Sequence, residues 1–316
     1  MEKLRYGILS TSSIAPRFIA AVRAAGAGEI VALSSRTLEK AKEKAELWDI
    51  PKAYGSHEEL LADGDVNIVY ISSVNAQHYP MAKAAILAGK NVVCEKPCTT
   101  SAANTRELFA LAREKGVFLM EAEKMLFLPA VLAVKKRIQA GELGEIYMAE
   151  LSHSFSAGYN TWLFDPEVGG GTILSSGIYA VQLLQWLFGS VKTIGGVRSV
   201  TENGGEWQYA LSGEMENGVL FQIKNSTRVS LDNTARFYGT KGVVEIPEYW
   251  KARTAIFRID GEMSIAEFPC EHELSYEAAH IADCIKNGLL TSPVVTEEIS
   301  VAGITALESV KSQWKQ

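Results

Sequence analysis

Lys96 stands between Glu95 and Pro97, directly after the apolar run Asn91-Val92-Val93-Cys94, the pattern of a buried strand that stops at a charged turn. Open parallel sheets keep their ligands at the carboxyl ends of their strands. Pro97 fixes its own φ and biases Lys96 toward extended backbone, so the cation is held by the chain. A partly desolvated lysine has a lowered pKa, which suits proton transfer near neutrality.

A second chemical signal follows the first strand. The segment Gly7-Ile8-Leu9-Ser10-Thr11-Ser12-Ser13-Ile14-Ala15 has the position and length of a dinucleotide-binding turn, with Ser10 and Ser12 where glycines are expected. Small residues there still let backbone N–H groups and the next helix N-terminus approach a pyrophosphate. Ser10, Thr11, Ser12 and Ile14 are therefore the candidate residues for that group, at the cost of a worse fit to tight turns with positive φ. The competing reading is a serine-rich turn that only caps its helix. At the end of the second strand, where Asp or Glu would bond a ribose 2′-hydroxyl, stand Ser34-Ser35-Arg36-Thr37. Ser35 and Arg36 suit a 2′-phosphate instead, because a guanidinium matches phosphate bidentately and no carboxylate is present to repel it. NADP is expected, with NAD the weaker candidate.

The elements that must position these residues follow from periodicity. Up to about residue 120, short apolar runs alternate with helix-period segments, with strands near Tyr6–Leu9, Ile30–Leu33, Ile68–Ile71, Asn91–Cys94 and Phe118–Met120. That alternation is βαβ and implies a parallel sheet. Crossover helices are expected at Leu38–Trp48 and at Met81–Ala88, the latter closed by Gly89. After a helix from Pro129 to Gln139 come alternating strands at Ile146–Phe155, Gln208–Met215, Gly218–Thr227 and Thr234–Tyr238. Glu216-Asn217-Gly218 and Thr240-Lys241-Gly242 mark hairpins. Ser176–Phe188 is apolar on nearly every side and reads as a buried helix, expected between this sheet and the first domain. Helices near Tyr276–Asn287 and Ile299–Trp314 close the chain. The expected fold class is α/β: an N-terminal Rossmann domain with a parallel sheet over residues 1–121, then a C-terminal α+β domain with an open, mostly antiparallel sheet over 122–316. The last helix is able to pack back on the first domain.

Composition narrows the function. The chain has 316 residues, 47% hydrophobic and 22% charged, enough for two ordinary domains. No run approaches the roughly 18 apolar residues of a membrane span, and Met1-Glu2-Lys3-Leu4-Arg5 leads into a strand without a signal-peptide core. No membrane partner and a cytoplasmic location are expected. Cys94, Cys98, Cys270 and Cys284 form no Cys-x-x-Cys pair, so reduced thiols and no metal site are expected. A net charge of -6 without a basic run argues against nucleic acid and leaves a small-molecule substrate.

Taken with Ser72-Ser73-Val74-Asn75-Ala76-Gln77-His78 and Gly169-Gly170-Gly171-Thr172 through Gly177-Ile178-Tyr179, these features resemble the glucose-fructose oxidoreductase and inositol dehydrogenase family, Gfo/Idh/MocA, over the whole chain. Asp49-Ile50-Pro51-Lys52-Ala53-Tyr54-Gly55-Ser56, Met120-Glu121-Ala122, Gly177-Ile178-Tyr179-Ala180-Val181-Gln182 and Ser275-Tyr276-Glu277-Ala278 resemble its dimeric dihydrodiol dehydrogenase and NADP-dependent D-xylose dehydrogenase branch. The resemblance implies hydride exchange between a nicotinamide and a sugar, polyol or small (di)carbonyl. It also implies a homodimer formed through the C-terminal sheet. Lys96 matches the lysine of the Glu-Lys-Pro motif, and Tyr179 the residue that trades the proton with the substrate oxygen. His78 matches a residue near the nicotinamide and joins Lys96 and Tyr179 as a catalytic candidate, and Ser73, Asn75, Glu95 and Lys96 itself join the cofactor-binding set. A lysine cation that favours phenolate makes physical sense beside a tyrosine of ordinary pKa about 10.

The sequence departs from the family pattern at Ser175, where an aspartate is common, and at Lys124 and Leu126, where Trp and Arg are common. Lys124 reads either as a cation for an acidic or phosphorylated substrate or as a solvated lysine. These departures, with Ser12, keep open a dinucleotide-binding regulatory or sensor protein without turnover. Hydrolysis at a glycosidic bond is a third reading, and Ser-His-Asp hydrolysis lacks its Gly-x-Ser-x-Gly.

Overall fold

The computed structural model describes residues 3–157 and 162–314; the opening Met1 and Glu2 lie outside them. The chain divides into two compact units, Met1–Glu123 with His272–Ser300, and Lys124–Glu271 with Val301–Gln316.

The first unit begins with β1 (Arg5–Leu9), α1 (Ala15–Ala25), β2 (Glu29–Ser34), α2 (Leu38–Leu47), β3 (Lys52–Tyr54) and α3 (His57–Ala62). It continues through β4 (Ile68–Ile71), α4 (Asn75–Leu87), β5 (Asn91–Glu95), α5 (Ala102–Lys115) and β6 (Leu119–Ala122). The sheet has the order β3-β2-β1-β4-β5-β6 with every pair parallel. Such strands are covered on both faces, which is why β4 is buried along its whole length. The strand order reverses between β1 and β4, so the carboxyl ends of these two strands form the crevice where such sheets take ligands. Leu9, Val69, Ile71, Ala82, Ile86, Val92, Leu108 and Leu119 belong to one buried cluster that fixes the strands beneath that crevice.

The helix expected from Met81 starts earlier, at Asn75, with Pro80 inside it. The proline's missing N–H removes a single ladder bond, and the buried side chains of Met81, Ala82, Ala85 and Ile86 hold the helix against the sheet. Gly89 at φ 72° ends it in the left-handed conformation expected of that position.

In the second unit α6 (Pro129–Gln139), β7 (Ile146–Ser154) and α7 (Ile178–Phe188) precede β8 (Val191–Val200), β9 (Glu206–Met215), β10 (Leu220–Ser226) and β11 (Thr234–Gly239). Next come β12 (Gly242–Pro247), β13 (Thr254–Ile259) and β14 (Glu262–Glu267). The eight strands run in the order β14-β13-β12-β11-β7-β10-β9-β8, and every pair is antiparallel except β10 with β7. One face buries Ala149, Leu151, Phe221, Ile223, Phe237 and Phe257. Helices α6 and α7 cover it: Phe188 meets Phe237 edge-on at 5.4 Å, and Lys135 of α6 lies over the Trp186 ring of α7. Gly218 at φ 89° makes the β9–β10 hairpin turn. The closing helices are α8 (Ser275–Lys286), packed on α1 within the first unit, and α9 (Glu297–Gln313). No helix among the described residues is long and apolar enough to cross a membrane.

Candidate functional site

In the first unit the tips of β1, β2 and β4 are tied together by the serine loop. Ser10 takes φ 109°, its N–H donates to the Ser34 carbonyl at 3.2 Å, and the Ser12 hydroxyl donates to the Ser72 hydroxyl at 2.8 Å. Helix α1 then begins with no side-chain cap and no acid in its first turn. Its N-terminal partial positive charge therefore meets no carboxylate of its own. Thr11, Ser12 and Ile14 are half exposed around it. This small-residue turn, with a helix N-terminus behind it, fits a dinucleotide pyrophosphate. At the end of β2, Ser35 is buried and donates its N–H to the Tyr54 carbonyl. Arg36 is exposed, and the next residue, Thr37, caps α2 through the Lys40 N–H.

At the β4 and β5 tips, Ser73 is half exposed and Asn75 is buried as the first residue of α4. Lys96 follows β5 on a half-exposed turn whose Lys96–Pro97 peptide bond is cis. The Tyr70 hydroxyl donates to Glu95 Oε1 at 2.5 Å. His78 is 1% exposed, with Nδ1 2.8 Å from the Pro97 carbonyl and Nε2 3.0 Å from the Ser73 carbonyl. Burial pushes its pKa down, opposed by those two carbonyls. Both ring nitrogens thus face backbone, so the imidazole joins the Ser73 loop to the Lys96 turn.

Glu121 is marked in the sequence only as part of the string Met120-Glu121-Ala122, with no role attached to it. It is 1% exposed, and its Oε1 accepts the Cys98 N–H at 2.9 Å. The available signal is an acid inside the apolar run Leu119-Met120-Glu121-Ala122, since carboxylates are almost never fully buried unless paired.

In the second unit Tyr179 lies in the first turn of α7 and is 8% exposed. It is preceded by a π-helical turn, Ile173–Gly177, a form that often marks functional sites. Ser176 organises that turn: its hydroxyl donates to the Thr172 carbonyl at 2.8 Å and accepts from Asn225 Nδ2 at 2.8 Å. The hydroxyl of buried Tyr209 is also bonded to Ser176. Ser175 is half buried and bonds the Thr172 carbonyl at 3.4 Å. Beside Tyr179 an aromatic wall forms. His153 of β7 stacks on Trp250 with centroids 3.7 Å apart, and lies 6.4 Å from the Tyr179 ring. Lys124 is buried in a single-turn 3-10 helix, Lys124–Phe127, which rules out the solvated reading of that residue. Leu126 in the same turn is fully buried.

Comparison with known proteins agrees with both units. A model of the oxidoreductase family with NAD-binding Rossmann fold matches residues 4–123, and the Gfo/Idh/MocA C-terminal domain matches residues 131–245. The chain is 36% identical over 310 residues to trans-1,2-dihydrobenzene-1,2-diol dehydrogenase of Mus musculus, covering 92% of this chain and 91% of the mouse protein. It is 34% identical over 323 residues to the Homo sapiens enzyme of that name, covering 98% and 96%. The fold is shared with the 3-ketoreductase KijD10 from Actinomadura kijaniata in complex with NADP and TDP-benzene, at TM-score 0.91 and 23% identity over 98% of both chains. It is shared also with aldose-aldose oxidoreductase from Caulobacter crescentus, at TM-score 0.89 and 24% identity over 99% of this chain and 98% of the other. With a parallel dinucleotide-type sheet, a serine-lined turn at the tip of β1 and full-length similarity to dehydrogenases, the chain belongs to the Gfo/Idh/MocA family of NAD(P)-dependent oxidoreductases.

Proposed function

We propose that this oxidoreductase uses NADP and passes hydride between its nicotinamide and a sugar, polyol, vicinal diol or small (di)carbonyl. The observation that carries the cofactor choice is the exposed Arg36 in Ser34-Ser35-Arg36-Thr37 at the end of β2, where an NAD enzyme would present a carboxylate. The nicotinamide supplies or accepts the hydride when bound. The chain's own residues hold the cofactor and move the proton. The N–H groups of the Ser10–Ile14 turn and α1 bind the pyrophosphate, Ser35 and Arg36 the 2′-phosphate, and Ser73, Asn75 and Glu95 the nicotinamide half. The Tyr179 hydroxyl gives the substrate oxygen its proton or takes it, and the Lys96 ammonium favours negative charge on the oxygens involved. The names of the relatives support trans-1,2-dihydrobenzene-1,2-diol as one substrate to assay, and the sequence resemblance supports D-xylose. The protein acts as a homodimer through the exposed face of its eight-stranded sheet. Its four cysteines are free thiols, which fits a cytoplasmic location.

The test is a thermal-melt titration with NADPH and NADH in parallel, on the native chain and on Arg36→Ala. A ligand that binds the folded state alone stabilises by about 2.7 kcal/mol at 100 times its dissociation constant. NADPH is expected to shift the native chain more than NADH, and Arg36→Ala to remove most of that difference. Equal losses for both cofactors would overturn the NADP assignment. Tyr179→Phe is expected to lower kcat by about 100-fold or more with NADPH binding retained.

A further inference from the structure

Lys96 can act only if the short turn that carries it keeps one shape, and strand pairing does not reach far enough to ensure that. The β5–β6 ladder pairs Cys94 with Glu121 and Glu95 with Ala122, and ends there. Beyond it three side chains from three different elements take over. Tyr70 of β4 holds the Glu95 carboxylate, His78 of α4 meets the Pro97 carbonyl, and Glu121 of β6 receives the Cys98 N–H. The residues on both sides of Lys96 are thereby fixed from below, on each flank.

The choice of a carboxylate at 121 needs explaining. A buried amide N–H is satisfied by any carbonyl or hydroxyl, whereas a carboxylate carries a large desolvation penalty when buried. Part of its return is a charge-assisted bond to the N–H, 2.9 Å long and about twice as strong as a neutral one. An interaction of that strength suits a place where a small displacement is expensive, since a shift of about 1 Å at a reacting group can cost about 100-fold in rate.

We infer that Glu121 is a positioning residue for Lys96, acting through the Cys98 amide, with His78 as its counterpart at the Pro97 carbonyl. The inference rests on the proposed role of Lys96. In it, His78 aims the lysine and exchanges no proton with substrate.

The test compares Glu121→Gln, which keeps an oxygen acceptor, with Glu121→Met, which fills similar volume without one. NADP-linked oxidation of trans-1,2-dihydrobenzene-1,2-diol and of D-xylose is measured beside NADPH affinity and hydrogen exchange at the Cys98 amide. Glu121→Met is expected to lower kcat by about 10- to 100-fold, with NADPH affinity held within about threefold. It should also speed exchange at Cys98 by about tenfold or more. Glu121→Gln is expected to restore both kcat and slow exchange. Wild-type turnover in Glu121→Met, or unchanged exchange at Cys98 in that variant, would overturn the inference, as would Glu121→Gln behaving like Glu121→Met. Should the native chain turn over neither substrate, the choice of substrates is what fails, and the exchange measurement still decides whether Glu121 fixes the turn.

Discussion

At the scale of single residues the serine loop shows what replaces a glycine and at what cost. Ser10 holds φ 109°, a region open to glycine and unfavourable for a side chain by about 1–3 kcal/mol. Glycine loses more backbone entropy on folding, which offsets about 0.5–1 kcal/mol of that relief. Ser10→Gly is therefore expected to raise the thermal midpoint by about 1–2 °C, as a net gain near 1 kcal/mol would for a chain of this size. A lowered midpoint would show that the long contact from the Ser10 hydroxyl to the Ser72 carbonyl outweighs the backbone. Histidines give a second prediction. Burial is the leading cause that pushes His57, His78 and His280 below the ordinary imidazole pKa. The unfolded chain then binds protons first as pH falls below about 6.5. The stability these rings provide is present above that value and is lost as pH drops toward their folded pKa values. Urea midpoints measured from pH 8 down to pH 5 should fall below about 6.5, and fall less in a variant carrying His57→Gln and His280→Gln. A flat profile for the native chain would contradict the burial assignment. Asp63, Asp232 and Glu298 are held below the ordinary carboxylate range and act at lower pH, outside that window.

At the scale of elements the π-helical turn before α7 decides where Tyr179 points. One extra residue in a helical turn rotates everything after it by about 100°, given 3.6 residues per turn. The turn persists because Ser176 joins Thr172, Asn225 and Tyr209 in one buried set of hydrogen bonds. Ser176→Ala strands the Asn225 amide and is expected to destabilise the protein by about 1–3 kcal/mol. It should also lower kcat more than it changes NADPH affinity, since the candidate cofactor residues lie in the first unit. Equal effects on both would remove the turn's special role. The turn was not legible in sequence, because Ser176–Phe188 is apolar on nearly every side and carries no mark of its starting phase. The parallel strands were legible for the opposite reason: buried on both faces, β4 and β5 are plain apolar runs between polar turns. Strands β3, β8, β13 and β14 escaped the reading, and β12 entered it only as the far side of a hairpin; β14 is exposed along nearly its whole length and β8 holds two adjacent glycines, so neither of these two alternates clearly. Among site residues, Lys96, Arg36 and Tyr179 stand at positions that motif spacing points to. Glu121 does not, because its partner is a backbone N–H beyond the Lys-Pro turn and no spacing rule links the two.

At the scale of the whole molecule the open question is what covers the outer face of the eight-stranded sheet. Strand registers place Leu220, Met148, Tyr238, Val243, Arg258 and Met263 directly opposite one another across β10, β7, β11, β12, β13 and β14. Leu220 and Met148, side by side, are 50% and 42% exposed, and Met263, beyond Arg258 at the far end of the row, is 62% exposed, an exposed apolar pair of the kind an interface covers. Two residues along the strands runs a polar row, where Arg236 pairs with Glu245 and Tyr238 reaches over to Glu150. A mostly apolar row beside paired charges has the form of an interface core meeting its polar rim. A two-fold axis through such a face would set the row against its own copy. The native chain is therefore expected to sediment with the mass of two chains. A variant with Met148→Lys and Leu220→Lys, which sets two cations side by side in the row, is expected to sediment as one. Because the candidate cofactor residues belong to the other unit, that monomer should keep NADPH affinity within about threefold, so loss of association and loss of the cofactor site are separable. A native chain that sediments as a monomer at every concentration would leave this face for some partner other than a second copy.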